Sequence, residues 1–581
     1  MDYIKKYELW AQDDYIDAET KLELEALRGN PTEIKERFHK DLEFGTSGLR
    51  GIMGAGTNRM NKYTVRKAAQ GFANYLKNLA PEKEHGVLIA YDSRKNSKEF
   101  AIETALVMCA SGVKAYVFKS LRPTPELSFG IRHLGVSGGV VITASHNPAK
   151  YNGFKVYGPN GGQVINPADK LIIDEVNKID EWHQIERVDI EQAEKNGMLV
   201  YVDKEIDEVY YESILAQSVD ESAASGQGSE LNVVFTPLHG SGNVPVREVL
   251  SRAGFNNVHM VAEQEEPNGD FPMMEAPNPE NLRVFDIALK HAKKVNADII
   301  VATDPDADRV GVMAKNKFGK FISLNGNMTG VLLTDYILSN LKRKGRLPKD
   351  GVIISSVVST KMTRKISENY GMRYEEVLTG FKYIGERIEQ MENEKSGTFI
   401  FGFEDTCGYL AGNYIRDKDA VLGAYLVCEM AAHYKAQGMT LCDRLNEIYE
   451  QYGYYLETTR PISFEGSEGS VIMGKVMESY RLEPPTHLGN DNVVKVYDFK
   501  LGLSTDLVSG QIDVINMSKS NVLYFQSEDG SWMCIRPSGT EPKMKLYFGT
   551  NAKTMSESEK KLEHIGDEII TSFIEWRKRY G

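Results

Sequence analysis

Residues 139–148 read Gly139-Val140-Val141-Ile142-Thr143-Ala144-Ser145-His146-Asn147-Pro148. A short β-rich apolar run passes into a loop of small and polar residues, and a proline ends regular structure. The loop presents the Ser145 hydroxyl just beyond a buried strand, where it is available as a nucleophile. The same transition recurs twice. Residues 297–302 enter Thr303-Asp304-Pro305-Asp306-Ala307-Asp308-Arg309, and residues 398–401 enter Gly402-Phe403-Glu404-Asp405-Thr406-Cys407-Gly408. In open α/β sheets, ligands bind outside the carboxyl ends of strands. Three loops of this kind are therefore expected to face one cleft.

Around these loops the pattern alternates β-rich and helical stretches, with further strand candidates at 87–91, 231–235 and 352–358. The polar stretch 218–230 is rich in Ser, Gly and acidic residues and reads as a linker or long loop. Beyond about Tyr455 the order changes to short β segments with charged turns, followed by a helical tail at 553–579. The fold class is thus α/β, with a last domain of α+β type. A chain of 581 residues exceeds what one core holds. Division into 1–212, 213–324, 325–457 and 458–581 is expected.

Composition narrows the function. With 41% hydrophobic and 26% charged residues, the chain is an ordinary globular one and not a disordered one. Its 69 basic and 82 acidic residues leave a formal charge of −13, which argues against nucleic acid or an anionic membrane as a partner. A local basic pocket for phosphate is still allowed. The five cysteines, Cys109, Cys407, Cys428, Cys442 and Cys534, show no zinc-ligand or redox-pair spacing and read as reduced thiols. The first fifteen residues lack the apolar region of a signal peptide, and no apolar run reaches about 18 residues. A cytoplasmic protein without a membrane span is expected.

The loops carry the chemistry. Asp304, Asp306 and Asp308 are three carboxylates at alternate positions after a buried strand, and they repel one another unless a cation joins them. All-oxygen ligands suit a hard ion such as Mg2+. The glycine and distal glutamate of an EF-hand are missing, and a solvated acidic turn is the plainer alternative. Arg309 follows at once and can hold a phosphate oxygen. In the third loop, Glu404 and Thr406 offer an acceptor and a hydroxyl to a sugar, because buried sugar hydroxyls need partners.

Near the end, Arg536-Pro537-Ser538-Gly539-Thr540-Glu541-Pro542-Lys543 combines a guanidinium, two hydroxyls and a glycine that lets backbone N–H groups approach an anion. It reads as a phosphate cradle without the spacing of a Walker loop. Arg50, Lys155 and Lys382 each follow a glycine by two or fewer residues. Taken singly, each of these strings also fits a plain polar turn or a surface charge. Their weight lies in combination.

In combination, they resemble the α-D-phosphohexomutase family, within it the bacterial α-phosphoglucomutases and their phosphopentomutase-like relatives. The resemblance runs from Phe44 to the helical tail, with all four loops in the family's order. It implies four domains around a central cleft, the fourth binding phosphate. It implies that Ser145 carries a phosphoryl group and completes a Mg2+ site with Asp304, Asp306 and Asp308. Glu404 and Thr406 match the sugar-binding pair. Arg536, Ser538, Gly539 and Thr540 match the loop around the phosphate that is not transferred.

Lys155 matches a lysine for proton transfer or charge stabilisation, and Arg50, His146, Arg309 and Lys382 match groups lining the cleft. The implied activity interconverts glucose 1-phosphate and glucose 6-phosphate through glucose 1,6-bisphosphate, which also serves as activator. The expected enzyme is a monomer or small homo-oligomer acting on small sugar phosphates.

Two departures bear on the sugar. Thr406 and Cys407 stand where many relatives have Ser and Phe, and Asp417-Lys418-Asp419-Ala420 stands where many end in glycine. Phosphomannomutase and phosphopentomutase activities stay open on this reading. So do a phosphatase and a non-catalytic sugar-phosphate sensor, although a metal group beside a hydroxyl is more than binding alone requires.

Overall fold

Strands that read as continuous apolar runs are buried along nearly their whole length, as expected where helices cover both faces of a sheet. In the computed structural model, which describes residues 2–45, 48–464, 469–537 and 543–580, they form the centres of the first three of four sheets. The first has six strands: β1 (Leu49–Ile52), β2 (Gly86–Tyr91), β3 (Lys114–Phe118), β4 (Gly138–Ile142), β5 (Tyr151–Tyr157) and β6 (Leu199–Val202). Their order is β1-β5-β4-β2-β3-β6. Strands β4, β2, β3 and β6 run parallel, while β5 and β1 are antiparallel additions.

The second sheet comprises β7 (Val233–Thr236), β8 (Val258–Met260), β9 (Ile299–Thr303), β10 (Val310–Lys315) and β11 (Phe321–Leu324), ordered β11-β10-β9-β7-β8. It repeats the plan of the first. A parallel group, β9-β7-β8, is extended by two antiparallel strands. The third sheet is β12 (Gly351–Ser356), β13 (Arg373–Val377), β14 (Thr398–Glu404) and β15 (Gly408–Ala411), ordered β13-β12-β14-β15.

The fourth sheet differs in kind. It contains β16 (Tyr454–Ser463), β17 (His487–Leu488), β18 (Asp491–Asp498), β19 (Leu503–Asp506), β20 (Ile512–Val514), β21 (Leu523–Ser527), β22 (Trp532–Pro537) and β23 (Lys543–Ala552). The order β16-β23-β22-β21-β18-β19-β20, with β17 beside β18, is antiparallel throughout. Helices Gly469–Leu482 and Met555–Tyr580 accompany it, and Val476, Met477, Ile565 and Ile569 pack with Phe525 and Phe548 in its core. The architecture is three α/β domains followed by a β-rich C-terminal domain.

Local chemistry explains the boundaries. Helix Lys62–Leu79 starts with a capping box in which Asn61 accepts from the Thr64 N–H and Thr64 Oγ1 accepts from the Asn61 N–H. Strand β12 stops at Ser356, short of the expected 358. Val357 and Val358 instead pack with Phe499, Tyr524 and Trp532, so their apolar character serves domain packing and not the ladder. The stretch 218–230 is no free linker. Ser218 and Asp220 are buried, Glu429 accepts from the Ser218 hydroxyl and the Val219 N–H, and a 3-10 turn spans Gly226–Glu230.

The chain forms two compact units. One comprises Met1–Leu324, Ile384–Phe399 and Cys407–Thr440; the other comprises Asn325–Tyr383, Ile400–Thr406 and Leu441–Gly581. No helix among the described residues is long and apolar enough to cross a membrane.

Candidate active site

In the first unit the two chemical loops are hairpin connections. Residues 143–150 join β4 to antiparallel β5, and residues 304–309 join β9 to antiparallel β10. The first loop lies against strand β5, where a Cβ on Gly153 would stand 2.6 Å from the Thr143 carbonyl oxygen and 2.8 Å from that of Leu49. Only glycine fits there. Ser145 has φ +50°, in the left-handed region that a serine rarely enters. Its N–H donates to Thr143 Oγ1 at 2.7 Å.

Ser145 Oγ donates to Asp304 Oδ2 at 2.8 Å, and His146 Nδ1 lies 3.2 Å from the same hydroxyl. The nucleophile candidate and the acidic loop are thus in direct contact, 159 residues apart in sequence. Asp304 Oδ1 accepts from the N–H groups of Asp308 and Arg309, at 3.1 and 3.0 Å, which folds the loop around its first carboxylate. Behind the loop, a Cβ on Gly240 would stand 2.4 Å from Pro305 Cα, so a bare backbone is required there too.

Asp304, Asp306 and Asp308 are all buried, with a carboxylate oxygen of each lying within 4.8 Å of the others. Burial, then the charges of Asp306 and Asp308, drive the Asp304 carboxyl well above its ordinary range. Asp306 moves the other way. Burial works against its charge, but Lys155, whose Nζ donates to Asp306 Oδ2 at 2.9 Å, more than offsets it and holds the carboxyl low. Thr124 Oγ1 also donates to Asp306 Oδ2, at 3.1 Å, and Lys418 Nζ lies 3.0 Å from Asp308 Oδ2.

Asp306 Oδ1 and Asp308 Oδ1 are buried without a hydrogen-bond partner. Buried carboxylate oxygens with no donor are costly unless a cation takes them. Three carboxylates with two such oxygens therefore fit a hard divalent ion well.

The expected cations fall close by. Arg50 projects from the exposed position of β1 and lies within electrostatic reach of Asp306 and Asp308. Arg309 Nη1 donates to Glu280 Oε2 at 3.0 Å, which anchors its guanidinium. Burial, followed by the charges of Arg309 and Arg50, keeps the His146 imidazole well below its ordinary pKa, so it is neutral near pH 7.

In the second unit, Thr406 Oγ1 donates to Glu404 Oε1 at 3.0 Å, and Glu404 is buried. Lys382 Nζ sits over the Tyr383 ring, 5.3 Å from its centroid. Arg536, half-buried on β22, lies within electrostatic reach of Tyr547. Ser538, Gly539 and Thr540 lie outside the described residues.

Sequence reasoning missed several groups that the fold delivers to the Ser145 and Asp304 loops. Lys418 reaches Asp308, and Asp417 beside it accepts from the Tyr157 hydroxyl at 2.8 Å. Asp92 and Arg94 underlie the Ser145 loop, and Thr124 secures Asp306 by its N–H as well as its hydroxyl. Asp417-Lys418-Asp419 was a readable charge cluster. The others carry no local mark, being single polar residues brought in from 51 to 182 positions away.

Three stretches match family models described as phosphoglucomutase/phosphomannomutase α/β/α domains I, II and III, at residues 41–183, 208–319 and 325–452. The chain is 36% identical over 540 residues to a phosphoglucomutase of Staphylococcus epidermidis, covering 93% of this chain and 96% of that one. It is 35% identical over 531 residues to a phosphoglucomutase of Staphylococcus aureus, covering 91% and 93%.

Two solved structures share the fold. Parafusin from Paramecium, described as a phosphoglucomutase, has TM-score 0.67 at 18% identity, covering 92% of this chain and 94% of that one. A phosphoglucomutase/phosphomannomutase family protein from Burkholderia thailandensis has TM-score 0.64 at 17% identity, covering 89% and 95%. With matched domains in order and such identity over nine-tenths of its length, this chain belongs to the phosphoglucomutase/phosphomannomutase family, the α-D-phosphohexomutases.

Proposed function

We propose that this chain is a phosphoglucomutase, an isomerase that interconverts α-D-glucose 1-phosphate and glucose 6-phosphate through phosphoserine at Ser145. The observation that carries the reading is the 2.8 Å contact between Ser145 Oγ and Asp304 Oδ2 within a buried three-aspartate group. A hydroxyl held against candidate metal ligands suits phosphoryl transfer, where catalysis is mainly positioning and electrostatics.

In the working form Ser145 carries the phosphoryl group. A sugar hydroxyl attacks phosphorus, the bond from phosphorus to Ser145 Oγ breaks, and the hydroxyl proton passes to a base. Neutral His146 is the group at hand to take that proton, while Lys155, donating to Asp306, would stabilise charge or return a proton to the leaving Ser145 oxygen. Arg50 and Arg309 would offset charge on the transferred oxygens. Asp304, Asp306 and Asp308 would hold Mg2+, which when bound supplies charge stabilisation to the transferred phosphoryl group.

The resulting glucose 1,6-bisphosphate turns over, and its other phosphate returns to Ser145 Oγ as the second isomer leaves. Glu404 and Thr406, with Lys382, would recognise the sugar; their mutual hydrogen bond at 3.0 Å marks the donor and acceptor that would exchange for sugar hydroxyls. Arg536, Ser538, Gly539 and Thr540 would hold the phosphate that is not being transferred. Glucose 1,6-bisphosphate would also activate enzyme whose Ser145 has lost its phosphate. Four separate sheets support four domains. The division at 324/325 falls between β11 and the helix Gly326–Arg343, whereas 212/213 lies within the helix Lys204–Leu215 and 457/458 within β16, so those two divisions belong a few residues away. Freely dissolved sugar phosphates and five free cysteines suit a cytoplasmic enzyme.

The test is a coupled assay for glucose 6-phosphate from glucose 1-phosphate, with Mg2+ and trace glucose 1,6-bisphosphate. Wild type should turn over and Ser145→Ala should not. Full activity in Ser145→Ala would sink the mechanism. Preference for mannose or ribose 1-phosphate in kcat/KM would move the assignment to another sugar.

A further inference from the structure

Arg94 lies beneath the Ser145 loop with no side-chain exposure. Its Nη1 donates to the carbonyl oxygens of Pro148 and Tyr151, both at 3.0 Å, and its Nη2 to those of Ser145 and Asn147, both at 2.5 Å. Four carbonyls from one turn thus converge on one guanidinium. Its Nε lies 3.2 Å from Asp92 Oδ2, and its face covers the Phe271 ring at 5.0 Å.

Asp92 works the same loop from the other side. Its Oδ2 accepts from Thr143 Oγ1 at 2.7 Å, and Thr143 Oγ1 in turn accepts from the Ser145 N–H at 2.7 Å. Ser97 Oγ and the Arg94 N–H complete the carboxylate's partners at Oδ1. Both backbone polar groups of Ser145 are therefore tied to this pair, the carbonyl directly and the N–H through Thr143.

Ser145 is the residue that needs such ties. Its φ of +50° is unfavourable for a serine and persists only where the surroundings over-determine it. That conformation also fixes the direction of Cβ, and with it the aim of Oγ at Asp304. We propose that Asp92 and Arg94 are positioning residues for phosphoryl transfer, clamping the Ser145 backbone in its left-handed conformation so that Oγ stays in line for reaction. The inference rests on the reading of Ser145 as phosphoryl carrier. A lysine at 94 would keep the charge but not the planar fork of donors that reaches four carbonyls at once.

The test follows phosphoryl transfer from glucose 1,6-bisphosphate to dephosphorylated enzyme in Mg2+, by rapid quench and intact mass, beside steady-state kinetics. For Arg94→Lys the rate constant should fall about 100-fold, the size of effect that a misplaced reacting group produces. KM for glucose 1-phosphate should stay within about threefold, as expected if binding contacts are untouched. The final fraction phosphorylated should match wild type. A residue that only supports the fold would lower that fraction with the folded population and leave the rate constant alone.

A wild-type rate constant in Arg94→Lys overturns the proposal. If that variant does not fold, Thr143→Val and Thr143→Ser decide. Slow transfer in the first with recovery in the second supports the clamp, and wild-type rates in both overturn it. Ser145→Ala separates the two readings. Phosphorylation of that variant at the wild-type rate overturns the assignment of Ser145 and the clamp with it. An inert Ser145→Ala beside a fully active Arg94→Lys overturns the clamp alone.

Discussion

Lys155 Nζ donates to Asp306 Oδ2 across 2.9 Å, with both side chains almost wholly withdrawn from water. An ammonium thus holds one of the candidate metal ligands in its charged form.

Replacing Lys155 by Met should have two effects of opposite sign. Removing one partner of a buried ion pair costs on the order of 3–5 kcal/mol, so the metal-free protein should lose stability to chemical denaturant. The carboxylate group left behind is more negative and should attract a divalent ion more strongly, giving a larger Mg2+-dependent rise in Tm than in wild type. Turnover should drop at least about tenfold if Lys155 serves charge or proton transfer. A smaller Mg2+ effect than in wild type would contradict this balance.

Asp306 Oδ1 and Asp308 Oδ1 lack hydrogen-bond partners. Metal removal with a chelator should therefore lower Tm, and Mg2+ should restore it. The stabilisation expected from a ligand at 100 times its Kd is about 2.7 kcal/mol. Asp308→Asn should erase most of that dependence in a thermal-shift titration. Equal Mg2+ responses in the variant and wild type would remove Asp308 from the ligand set.

Gly153 faces two carbonyl oxygens that a Cβ would reach at 2.6 and 2.8 Å. Backbone does not yield as a flexible side chain does, and overpacking costs about 1–3 kcal/mol or more. Gly153→Ala should lower stability by at least that amount in urea unfolding. It should also depress kcat beyond the loss of folded protein, since one of the two carbonyls belongs to Thr143 at the root of the Ser145 loop.

Glu457 on β16 receives a hydrogen bond from Asn327 Nδ2 at 3.1 Å, while its other oxygen is buried and unpartnered. Burial raises its carboxyl to about 7 from an ordinary 4.5. Because the folded form holds the proton more tightly than the unfolded form, this group contributes stability that is full below pH 4.5 and lost as pH rises through 7. The slope is at most about 1.4 kcal/mol per pH unit. Unfolding free energy should therefore fall between pH 5 and 8, and Glu457→Gln should flatten that fall. An unchanged profile in the variant would remove Glu457 as its source.

What could be read in advance was local. The buried runs of β4 and β9, the Ser145 loop and the Asp304-Asp306-Asp308 loop are written in consecutive residues, and they occur where expected. The pairing of residues remote in sequence left no such trace. Thr124 meets Asp306 across 182 positions, and Tyr157 meets Asp417 across 260. Nothing in a lone threonine or tyrosine announces that partner. Val357 and Val358 show the converse error, since apolar β-branched residues that read as strand were spent on packing against the C-terminal domain. Arg309 was readable as a cation but not as one already anchored by Glu280, because that pairing depends on how the loop before residue 281 folds back.

The β16–β23 ladder pairs Tyr454–Ser463 with Lys543–Ala552 over ten residues, and among the described residues β16 has no other neighbour in its sheet. A ribosome making this protein releases β16 long before its partner exists. At about 5–20 residues per second, the interval is on the order of 5–20 seconds. Throughout that wait a long strand with unpaired backbone groups is open to other chains. Production of this enzyme should therefore depend on elongation speed and chaperone supply more than its three earlier domains would suggest, and nonsense or frameshift lesions even a few residues before Lys543 should yield protein that aggregates.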